Sequence, residues 1–226
     1  MLFHPMDIFI FIAFGVSMWA SYRVKGTFVT WAKVPIRSGM TGYDAARRML
    51  DANGLYDVQV EPISGQLSDH YDPTKRVVRL SESVYAERSI AAIAVATHEV
   101  GHAIQHKEHY PALVIRHRMV PVVNLASGAA PYLILVGLLL GAMNLTLVGI
   151  ILFSAAVAFQ LITLPVEFNA SNRARKLMLN YGFITVDEDR GASKVLSAAA
   201  LTYVAAALIS FLQLLKFVMI FANNRR

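Results

Sequence analysis

Residues 120–165 read VPVVNLASGAAPYLILVGLLLGAMNLTLVGIILFSAAVAFQLITLP, and this stretch decides the fold. It contains no Asp, Glu, Lys or Arg. A helix needs about 20 apolar residues to cross the hydrocarbon core of a bilayer, so there is room for two crossings, 120–143 and 145–165. Gly141-Ala142-Met143-Asn144 divides them and predicts a tight membrane hairpin. Pro121 and Pro131 predict bends in the first arm, which membrane helices tolerate.

Two further segments flank the hairpin at a distance. Residues 2–22 are interrupted only by His4 and Asp7 near the outer end. Residues 195–222 carry one cation, Lys216, close enough to the helix end to snorkel. Hydrophobic residues make up 56% of the chain and charged ones 16%, with a mean hydropathy of +0.48. Soluble domains carry about a quarter charged residues.

Charge orients the crossings. Arg23 and Lys25 follow the first segment, which has no basic start, so it reads as an anchor and not a cleaved signal. The loop 23–118 is rich in Arg and Lys, and 166–194 adds Arg173, Arg175, Lys176, Arg190 and Lys194. The positive-inside rule puts both stretches in the cytoplasm of a multi-pass protein of the cytoplasmic (inner) membrane. Arg225 and Arg226 vote the other way but are few. The net charge of +6 is then a matter of topology and lipid headgroups. No nucleic-acid motif accompanies it.

Residues 97–105 read THEVGHAIQ. His98 and His102 are four apart and share one helix face, so both imidazoles can hold one metal ion. Glu99, beside the first, can take a proton from a metal-bound water. This is the zinc-peptidase pattern H-E-x-x-H. The run 89–97 before it is rich in Ala and Ile and free of Gly and Pro. It predicts a buried helix that ends before Pro111. The bland alternative is a solvated helix end with incidental histidines. The absence of cysteine excludes disulfides and thiolate zinc sites, leaving His and carboxylate as strong ligands.

A catalytic zinc needs a third protein ligand and an open position. The metzincin extension fails, because Gln105 and Glu108 stand where Gly and His belong. His106 lies about 12 Å from His98 by helix rise, so it and His109 read as surface or supporting groups. Glu167, just after the hairpin, is the candidate. Pro165 predicts a break or bend, and Glu167, Ala170, Ser171 and Ala174 share a face of the continuing helix. The small residues there would let that backbone approach the motif helix closely. The alternative for Glu167 is a headgroup-level acid at the membrane boundary. Asp187, Glu188 and Asp189 read as a solvated turn, and Glu82 and Glu87 as helping the motif helix to start.

Between the first crossing and the motif, 41–50 predicts an amphipathic helix ended by Asn53-Gly54. Residues 58–63 and 76–80 predict short strands, with Asp72-Pro73-Thr74-Lys75 as a turn. A strand just ahead of the motif helix could offer its free edge to an extended substrate. The expected fold is therefore a mainly α membrane protein. About four transmembrane helices accompany a cytosolic α+β zinc-metalloprotease unit with a small sheet. Its expected parts are a membrane helix (1–22), a catalytic part (23–118), a hairpin (119–165), a segment supplying the third ligand (166–194) and a last membrane helix (195–222).

Taken together, THEVGHAIQ, the hairpin and the later PVEFNAS resemble the YugP-like family of bacterial membrane zinc metallopeptidases along nearly the whole chain. The layout is also similar to HtpX-type membrane proteases, which have a gluzincin-like site. The resemblance implies Zn2+ on His98, His102 and Glu167, with Glu99 as general base. HtpX-type proteins carry an Asp four residues after the ligand Glu, where this chain has Ser171 between Asn169 and Asn172. The function expected is zinc-dependent hydrolysis of protein or peptide substrates at the cytosolic membrane surface. Arg173, Tyr181 and His117 are candidate oxyanion donors. The alternative is a non-catalytic metal-binding membrane scaffold or sensor, against which Glu99 speaks. A transporter is disfavoured by the uncharged hairpin.

Overall fold

The computed structural model describes residues 4–224, so Leu2, Arg225 and Arg226 lie outside the described residues. The element order is α1 (Met6–Ala32), α2 (Gly42–Ala52), β1 (Gln59–Ile63), β2 (His70–Asp72), β3 (Val77–Ser81), α3 (Glu82–Tyr85), α4 (Ile90–Lys107), α5 (Pro111–Leu139), α6 (Met143–Asn180) and α7 (Val186–Asn224). This is a mainly α membrane protein with one small sheet. Helices α1, α5, α6 and α7 are long and apolar enough to cross a bilayer. The chain divides into two compact units. The first is Met1–Ala20, Ala112–Pro165 and Thr202–Arg226, and the second is Ser21–Pro111 and Val166–Leu201.

In the first unit, Phe9, Phe11, Leu125, Leu139 and Ile151 are exposed. An apolar surface of this kind belongs against lipid. Its hairpin turns at Gly141, which has φ +65°. The two arms approach through glycine. A Cβ on Gly137 would lie 2.6 Å from the Thr146 amide nitrogen, and one on Gly149 would lie 2.9 Å from that of Ile134. Small residues allow such close helix packing where lipid removes the hydrophobic drive between helices. Pro121 and Pro131 lie inside α5 and Pro165 inside α6. The helix does not break at Pro165 but runs on to Asn180. Lys216 does not simply snorkel: its ammonium donates to the Asp7 carboxylate.

The second unit has the packed core. Met49, Leu50, Leu80, Ile93, Val100 and Met178 are fully buried there, each contributing roughly 1.5–3 kcal/mol of transfer free energy. Helix α2 starts with a capping box. Thr41 Oγ1 accepts from the Asp44 amide at 3.1 Å, and Asp44 Oδ2 accepts from the Thr41 amide at 2.9 Å. The helix ends at Asn53-Gly54, as its sequence predicts, with Gly54 at φ +65°. Arg47 donates to the carbonyls of Leu55 and Val58 and so fixes the entry into β1.

The sheet order is β1-β3-β2, with β1 parallel and β2 antiparallel to β3. The expected turn at 72–75 joins β2 to β3. However, β3, the strand that leads into the motif region, is paired on both sides. It therefore has no free edge to offer a substrate. The edges belong to β1 and β2, and β2 packs against α4.

Two expectations about acids are corrected. Glu82 opens its own short helix, α3. The motif helix α4 is capped instead by Ser89, whose Oγ accepts from the Ala92 amide at 3.2 Å. A neutral oxygen at the N-cap satisfies the first amides without burying a charge. Asp187, Glu188 and Asp189 form the first turn of α7, where Asp187 is exposed as expected but the other two are not. Glu188 is buried and accepts from the Arg37 and Thr185 amides at 2.8 Å each, while Asp189 pairs with Arg175 at 2.6 Å. Carboxylates gain from free amides and the dipole at a helix start.

Candidate metal centre

Helix α4 buries Ala91, Ala92, Ile93, Ala94, Ala96 and Val100. Its His98, Glu99 and His102 thus emerge from an apolar setting, as the sequence predicts. Buried polar side chains need partners, and the two histidines find theirs in Glu167 and Ser171 on the part of α6 beyond Pro165 and in Gln105 on α4 itself.

The approach of α6 is close. A Cβ on Gly101 would lie 2.8 Å from the Ala170 carbonyl oxygen and 3.2 Å from its Cα. Gly101 facing Ala170 therefore brings the two backbones together and carries Glu167 and Ser171 to the histidines. Glu167, 3% exposed, points Oε2 at both rings: 3.3 Å from His98 Nε2 and 3.6 Å from His102 Nε2. The rings meet edge to face with centroids 4.7 Å apart. One ligand atom from each of the three lies within 4.8 Å of the others.

This donor set fits a divalent zinc-like ion. Zinc held tetrahedrally by N and O at 2.0–2.2 Å has ligand atoms separated by ~3.3–3.5 Å, close to the two separations seen. The outward ring nitrogens are also occupied. His98 Nδ1 lies 3.1 Å from Ser171 Oγ, and His102 Nδ1 lies 3.0 Å from Gln105 Oε1. Each ring thus turns Nε2 inward. Burial opposes charge on His102, and the adjacent Glu167 carboxylate outweighs it with help from Glu99 and Gln105. The ring's pKa accordingly stands above the ordinary histidine value. Glu99 is buried beside this cluster at 8% exposure.

Residues 6–222 match the family model described as "Putative neutral zinc metallopeptidase". The chain belongs to this family. It is also 64% identical over 221 residues to the "Putative membrane protease YugP" of Bacillus subtilis (strain 168), covering 96% of this chain and 98% of that protein. No solved structure matches. The resemblance to YugP-like membrane metallopeptidases read from the sequence is therefore correct.

In this neutral zinc metallopeptidase family member, the remaining sequence candidates lie elsewhere. His106 meets the Tyr71 hydroxyl through Nδ1 at 2.9 Å and ties α4 to β2. Arg173 donates to Asn169 Oδ1 at 2.7 Å and to Glu108 at 2.6 Å. The Tyr181 hydroxyl accepts from Asn53 Nδ2 at 3.4 Å, and His117 lies on α5 in the other unit. Sequence reading missed Gln105 as a partner of His102. The signal was present: Gln105 shares a helix face with His98 and His102, at a position where a buried amide must find partners.

Proposed function

We propose that the chain is a membrane-embedded zinc metallopeptidase that hydrolyses peptide bonds at the cytosolic membrane surface. The observation that carries the reading is the convergence of His98 Nε2, His102 Nε2 and Glu167 Oε2 in a chain with Glu99 beside the first histidine. His98, His102 and Glu167 would hold Zn2+. The ion would supply Lewis acidity towards a scissile carbonyl and make water easier to deprotonate. Glu99 takes the proton of the attacking water on its carboxylate and returns it to the leaving amine. Structural zinc has no use for such a base, which favours an enzyme over a metal-stabilised scaffold.

The substrate class is protein or peptide, from the family description and from the sheet. An extended chain adds most simply to β2, the edge strand that packs on α4. The cytosolic orientation is supported by the basic residues of 23–118 and 166–194. The test uses wild type and Glu99→Gln purified in detergent, with bound zinc measured and cleavage of an unfolded protein assayed. The expected result is equal zinc in both and a loss of cleavage of at least about 100-fold in Glu99→Gln. Equal cleavage by both, or none by a zinc-loaded wild type, would count against a peptidase.

A further inference from the structure

Gln105 is completely buried on the motif helix, and every hydrogen bond it makes has a fixed direction. Its Nε2 lies 2.8 Å from the Val166 carbonyl oxygen and 3.0 Å from Asn169 Oδ1. A backbone carbonyl only accepts, so the atom facing Val166 is the amide nitrogen. The atom facing His102 Nδ1 is then the amide oxygen. Asn169 is oriented by the same logic. Arg173 Nε, which only donates, reaches Asn169 Oδ1 at 2.7 Å. Arg173 is itself held by Glu108 at 2.6 Å.

These constraints propagate to the ring. An amide oxygen 3.0 Å from His102 Nδ1 accepts only if Nδ1 carries the proton. In the neutral imidazole the lone pair is then on Nε2, the atom on the Glu167 side. His98 differs. Its Nδ1 partner is the Ser171 hydroxyl, which can donate or accept and so does not select a tautomer.

We propose that Gln105, braced by the Val166 carbonyl and by the Asn169–Arg173–Glu108 chain, is a positioning residue that locks His102 in the Nδ1–H tautomer. His102 is thereby a ready-made Nε2 ligand, while the tautomer of His98 is selected only when the ion binds. The inference rests on the metal-centre reading above. It adds that the two motif histidines are unequal and that the inequality is set from α6.

The test uses the full chain in detergent. Zinc affinity is measured by chelator competition for wild type, Gln105→Met, Asn169→Leu and Asn169→Asp. Gln105→Met keeps the volume and removes the acceptor. It is expected to weaken zinc binding roughly 10–100-fold. Asn169→Leu should weaken it in the same direction. Asn169→Asp keeps an oxygen for both Gln105 and Arg173 and should restore the wild-type value, which a packing role alone would not require. Nitrogen-15 spectra of histidine-labelled, zinc-loaded wild type provide a readout independent of any variant. They should show His102 protonated at Nδ1 and metallated at Nε2. Wild-type affinity in Gln105→Met, or metal on His102 Nδ1, overturns this inference alone. A wild type that binds no zinc overturns the metal-centre reading along with it.

Discussion

Gly101 and Ala170 meet backbone to backbone, with no room for a methyl group: a Cβ on Gly101 would sit 2.8 Å from the Ala170 carbonyl oxygen. Glu167 and Ser171 flank Ala170 on the same helix, so this contact sets how far Glu167 stands from the histidines. Gly101→Ala gains about 1 kcal/mol of helix propensity. It loses about 1–3 kcal/mol to overpacking against a backbone that cannot turn aside. The expected outcome is a lower melting temperature together with weaker zinc binding. Both are read on one purified sample by thermal unfolding with and without zinc.

The α2 capping box gives a pH prediction. Hydrogen bonds from the Thr41 amide and hydroxyl hold the Asp44 carboxyl below its ordinary value of 3.8. A depressed folded-state pKa means the carboxylate stabilises the fold above the unfolded pKa. That contribution is lost as pH falls through the lower folded value. Asp44→Asn keeps an acceptor but no charge, so it should melt below wild type near pH 6. The gap should close as pH is lowered from about 5 towards 2.

The cysteine-free sequence makes the topology directly testable. Single cysteines at Tyr56, which is 76% exposed, and at Asn144, exposed in the first turn of α6 just past the hairpin turn, should label from opposite sides of the membrane. With the basic loops inside, an impermeant maleimide added to intact cells should reach Asn144→Cys and not Tyr56→Cys. The reverse pattern would invert the orientation.

The sequence was most informative where one periodicity carried the information. The uncharged hairpin, the capped helix 41–50 and the histidine pair follow from helical spacing and the cost of charge in lipid. Strand β2 was less legible: His70-Tyr71-Asp72 is three residues long, too short for alternation to show. The parallel pairing of β1 with β3 is a tertiary choice that no local signal announces. Pro165 invited a break, but α6 continues through it, as membrane helices often do. Glu167 was legible because a carboxylate directly after an uncharged span requires a reason. Gln105 could be placed on the histidine face by spacing alone, but the groups that orient it, Val166 and Asn169, lie across the hairpin in sequence.

The central claim is that His98, His102 and Glu167 share one zinc ion, and the equilibrium zinc affinity of Glu167→Ala against wild type tests it most directly. The account predicts one tightly held zinc per wild-type chain. It also predicts a loss in Glu167→Ala larger than the roughly 10–100-fold that a supporting residue costs. A Glu167→Ala protein that holds zinc as tightly as wild type would contradict it.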